Sequence, residues 1–118
     1  MAACVASLLD KQIDEVDVDL AGCEKVSELI RRIEAKAGCK IYGFPTEAIT
    51  DGIIKSALKY CIVEVCTFIN CGNQSWHCVV CEIAEDGALS MVHNPDRIDT
   101  IRTSLDQFRG TRNLYFVG

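Results

Sequence analysis

Two hydrophobic periods divide the chain. Within residues 21–37, Val26, Leu29, Ile30 and Ile33 recur three and four apart, the spacing of a helix with one apolar stripe. Glu28 and Arg32 form a supporting i,i+4 pair, and Gly38 is placed to close the helix. Residues 2–11 read as a shorter helix burying Cys4 and Leu8, with Val5 and Leu9 beside them. Residues 53–60 also have helical spacing. The acidic piece 12–20 reads as an exposed loop anchored by Ile13, Val16 and Val18. Its four acids lack the glycine and closing glutamate of a calcium loop.

The back half carries strand signals. Residues 39–44 form a short extended run before Pro45, and residues 61–70 are β-branched enough for a mostly buried strand. Residues 72–75 read as a loop, 96–103 as a polar connection, 104–109 as a helical turn capped by Ser104, and 113–117 as a last strand. No repeat or linker interrupts the chain. Helices in front and an antiparallel sheet behind predict an α+β fold in one domain, 1–118.

The most informative stretch is the hairpin around Asp86-Gly87, a strong reversal signal between two β-type runs. A two-residue turn there sets Glu85 opposite Ala88, Val79 opposite Asn94 and His77 opposite Asp96. Alternation then puts His77 and Asn94 on one face as diagonal neighbours, roughly 7–8 Å apart between backbones, with His93 pointing the other way. A one-residue bulge in the turn reverses that parity. An imidazole beside a carboxamide is a general base beside the group that sets its tautomer, two members of a thiol-hydrolase triad.

Composition narrows the alternatives. The net charge of −5 and the scattered arginines argue against nucleic acid. Residues 60–70 are too few to span a membrane and include Glu64. The N-terminus has neither the basic segment nor the apolar core of a secretion signal, and 118 residues are enough to fold without disulfide staples, so most of the eight cysteines are expected to be free thiols in the cytoplasm. Zinc is disfavoured, because Cys78 and Cys81 sit three apart inside a strand and point to opposite faces. No metal and no cofactor are expected.

The segment from His77 to Pro95, a histidine opening an apolar strand, an Asp-Gly hairpin and a strand ending in Asn-Pro, resembles the second half of papain-like cysteine peptidases. Double-glycine peptidases, Josephin-type proteins and small papain-like proteins of phages and bacteria are similar in size and layout. The resemblance implies a first helix packed on the sheet with the nucleophile at its N-terminus, which makes Cys4, His77 and Asn94 the triad. Trp76 and Asp96 then border the substrate cleft, with Asp96 also a second orienter of His77. The chain departs from the family pattern in front. Cys4 with Val5-Ala6-Ser7-Leu8-Leu9 aligns with the second cysteine of the family helix, which puts the nucleophile slot just before Met1. The upstream glutamine that stabilises the oxyanion has no position either. The expectation is therefore a papain-like domain with an incomplete catalytic apparatus that binds a protein or peptide partner. An active thiol peptidase or isopeptidase and an unrelated α+β interaction domain are the alternatives.

Overall fold

The structure, a computed structural model, describes residues 1–23, 25–47, 59–70, 73–95 and 103–118. Its elements are helices α1 (Ala2–Leu9) and α2 (Val26–Ala37), and strands β1 (Ile41–Pro45), β2 (Tyr60–Asn70), β3 (Asn73–Ile83), β4 (Leu89–His93), β5 (Thr103–Ser104) and β6 (Gly110–Val117). Single 3₁₀ turns occupy Ile13–Glu15 and Leu105–Gln107. The six strands form one antiparallel sheet in the order β1-β6-β2-β3-β4-β5. The fold is α+β, as the patterning predicts.

Sheet alternation builds two cores. Val63, Val65, Val79, Cys81, Leu114 and Phe116 are buried on one face, with the Phe44 and Phe116 rings edge-on at 5.9 Å. Ile62, Val80 and Tyr115 face the other way and meet Cys4, Val5 and Ala6 of α1, Ile33 of α2 and Val16. Each buried side chain of this size contributes about 1.5–3 kcal/mol, so the sheet is held from both sides.

Local physics explains where the elements begin and end. Helix α2 starts at Val26 rather than at residue 21, because Gly22 takes a left-handed φ of 76° in a turn closed by Cys23 N–H to the Leu20 carbonyl, 3.0 Å. It ends at Gly38, again left-handed at φ 69°. Of the anchors expected in the acidic loop, Val16 is fully buried, Val18 is half-buried, and Ile13 is 48% exposed. Ile13 is no anchor, because it opens a 3₁₀ turn that turns it outward. Lys36 Nζ and Arg32 Nη1 reach back to the carbonyls of Asp17, Asp19 and Ala21, so this loop is tied down by α2. The expected loop at 72–75 is largely strand: β2 and β3 stay paired out to Asn70–Asn73. The helix expected over 53–60 lies outside the described residues apart from its last two, of which Tyr60 already belongs to β2. Most of the connection at 96–103 lies outside them too. Ser104 caps the last turn as expected, accepting from Asp106 N–H at 3.4 Å.

Candidate functional site

The hairpin turn is one residue longer than expected. Ala84, not Glu85, opposes Ala88, with Ala84 N–H donating to the Ala88 carbonyl at 2.9 Å. Gly87 N–H bonds the Ala84 carbonyl at 2.9 Å, and Gly87 sits at φ 86°, a left-handed position that suits glycine. Alone, this extra residue would reverse the parity of β4. A second irregularity cancels it. Cys81 pairs with Met91 but Val80 pairs with His93, so β4 carries Val92 as an extra residue. Beyond the bulge, the expected register returns. His77 Nε2 lies 2.8 Å from Asn94 Oδ1, with Asn94 buried and His77 half-buried. Because the partner atom is a carbonyl-type oxygen, Nε2 is the donor in this bond.

The thiol expected to complete this pair lies elsewhere. His77 is paired with Val65 and shares its face with Val79, both in the first core. Cys4 is fully buried in the second core, across the sheet. Strand alternation therefore sends the imidazole and the thiol to opposite faces of β3. The Cys4 thiol instead donates to the Cys78 carbonyl at 3.3 Å. That carbonyl sits two residues past the Val80–His93 pair, where β4 has given way to Pro95, a residue with no N–H to offer. Cys4 thus supplies a donor that the sheet lacks, and in this position it does not form a triad with His77 and Asn94. Asp96 and Cys71 lie outside the described residues.

Thiolate chemistry is disfavoured elsewhere as well. Burial pushes the Cys61 thiol up to about 12, and it also pushes up Cys39, Cys78 and Cys81. A nucleophilic thiol needs the opposite shift. Cys78 and Cys81 belong to opposite faces, and among the described residues no three His, Cys, Asp or Glu side chains converge as metal ligands. No disulfide joins the described cysteines, and no described helix is long and apolar enough to cross a membrane.

A second polar cluster, which the sequence reading did not single out, surrounds Glu64. This glutamate is 4% exposed in the middle of β2. Strand β6 bulges opposite it, since Val63 pairs with Leu114 and Val65 with Thr111, leaving Arg112 and Asn113 across from one residue. Both extra side chains turn to the carboxylate. Arg112 Nε donates to Glu64 Oε2 at 2.8 Å with Nη2 at 2.6 Å from the same oxygen, and Asn113 Nδ2 approaches Oε1 at 3.4 Å. The Tyr115 hydroxyl donates to Oε1 as well, and burial together with that bond pushes the phenol up. Trp76 completes the cluster, with the Arg112 guanidinium 4.3 Å above its ring centre. Two signals pointed here in the sequence: a lone charge inside the apolar run of residues 61–70, and a break of alternation at Arg112-Asn113.

Searches against protein-family models, curated proteins and solved structures found no match to this chain.

Proposed function

We propose that this protein is a papain-like domain that binds a protein or peptide partner without cutting it. The observation that carries the reading is the separation of the expected triad. His77 and Asn94 keep the base–orienter hydrogen bond, while Cys4 is buried on the far face and bonded to a backbone carbonyl. A thiol in that position cannot pass its proton to His77, and its sulfur is closed to a substrate carbonyl. The partner surface in this reading includes Trp76, which is half-buried and backed by Arg112. An active peptidase is supported only by the geometry of the His77–Asn94 pair and needs a thiol other than Cys4 in the position described.

Peptide display on the immobilised protein, followed by mass spectrometry of the recovered peptides after long incubation, tests the proposal. Enrichment of related sequences recovered intact is expected, with Cys4 unmodified by iodoacetamide at neutral pH. No enrichment refutes the binding reading. Cleaved peptides, or alkylation of Cys4 that disappears in His77→Ala, refute the loss of catalysis.

A further inference from the structure

Arg112 is held more firmly than a surface arginine needs to be. Its Nε and Nη2 are fixed to Glu64, a carboxylate whose side chain is only 5% exposed. One face of its guanidinium lies over Trp76 at 4.3 Å. Its side chain is nevertheless 41% exposed, and Nη1 makes no hydrogen bond among the described residues. The donor plane is oriented from two sides, and one edge is left open to solvent. The rotamer entropy that an arginine normally loses on gripping a ligand has already been lost in folding. A free edge of parallel N–H donors matches the two oxygens of a carboxylate.

From this juxtaposition we infer that Arg112, stacked on Trp76 and braced by Glu64, anchors a carboxylate of the bound peptide, either an acidic side chain or the C-terminus. The inference rests on the binding reading above and gives the partner its chemistry. Glu64 is a positioning residue: it is too buried to reach a ligand and acts by aiming the guanidinium. Trp76 supports the guanidinium from beneath and borders the same surface. The charge of Glu64 is already matched by Arg112, so the attraction for a second carboxylate is short-ranged and depends on geometry rather than on net charge. Lysine in place of Arg112 retains the charge but loses the planar edge and the stacking.

Two peptide arrays test the inference with the wild-type protein. One holds octapeptides that each carry a single Asp, Glu or free C-terminus, and the other holds the matched Asn, Gln and C-terminal amide versions. Retention on the acidic array at least tenfold above the amide array is expected. Trp76, the only tryptophan, should change its fluorescence on titration with the best acidic peptide. Arg112→Lys, which keeps a positive charge beside Glu64, should lose the acid preference while still unfolding in one cooperative transition, at a somewhat lower midpoint. Equal retention on both arrays overturns the anchor and leaves the binding reading standing. Retention on neither array overturns both. An acid preference that survives in Arg112→Lys also overturns the role of the guanidinium edge.

Discussion

Glu64→Ala is expected to destabilise the protein by about 2–4 kcal/mol, and the structure shows where that comes from. Two of the groups left behind differ in their access to water. The Tyr115 hydroxyl belongs to a residue that is 6% exposed, so losing its acceptor strands a buried donor at about 1–3 kcal/mol. The Arg112 side chain is 41% exposed and can rehydrate, so its share stays near the surface-pair scale, below about 1 kcal/mol. The shortened side chain leaves a space beside Tyr115, and β6 loses what holds its bulge. Full loss of a buried pair, about 3–5 kcal/mol, is therefore the ceiling. Tyr115→Phe is milder, about 1 kcal/mol, because Arg112 and Asn113 still satisfy the carboxylate. Urea unfolding followed by Trp76 fluorescence measures both. With a slope of about 1.5 kcal/mol per molar, a 3 kcal/mol loss lowers the midpoint by about 2 M. The double variant should lose less than the sum of the single variants, with a coupling above about 0.5 kcal/mol. A Glu64→Ala cost under about 0.5 kcal/mol, or additivity of the pair within about 0.3 kcal/mol, would refute the reasoning.

Three further outcomes follow from the same structure. Cys61 and Cys81 are buried as neutral thiols with pKa values raised above their ordinary 9.0, so between pH 9 and 10 the unfolded chain releases protons that the folded chain keeps. Stability should then fall as pH rises, by up to about 1.4 kcal/mol per pH unit for each fully retained thiol; the urea midpoint measured across that window should drop, less steeply in Cys61→Ala, and a flat profile contradicts the burial argument. Gly43→Ala would place a methyl group 2.9 Å from Tyr115 Cε1 and displace the ring that bonds Glu64, so a loss of about 1–3 kcal/mol in thermal unfolding is expected, and an unchanged Tm rules out that contact. The ¹⁵N spectrum of the His77 ring at neutral imidazole should show the Nε2–H tautomer, and Asn94→Ala should shift it towards a mixture; an Nδ1–H ring in the parent protein contradicts the hydrogen bond.

Periodicity determined the element types at most described positions. Stripes three and four apart need a helix to share a face, and alternate residues need a strand, so α1, α2 and the sheet follow from residue order alone. The adjacency of His77 and Asn94 was also legible, although the route to it was not. Two irregularities of one residue each, at Gly87 and at Val92, had to cancel, and hydrophobic patterning does not register an inserted residue whose neighbours remain apolar. The place of Cys4 was a matter for the tertiary structure. Its helix could lie on either face of the sheet, and burial of Val5 and Ala6 against Ile62, Val80 and Tyr115 selected the face away from His77. The hydrogen bonds to Glu64 likewise join residues 48 or more positions apart, and only the bulge in β6 turns Arg112 and Asn113 onto one carboxylate. The sequence by itself determined which local segments could form, because that depends on neighbours along the chain. Which side chains met across the sheet was decided by strand register and helix placement, and these depend on the packing of the whole.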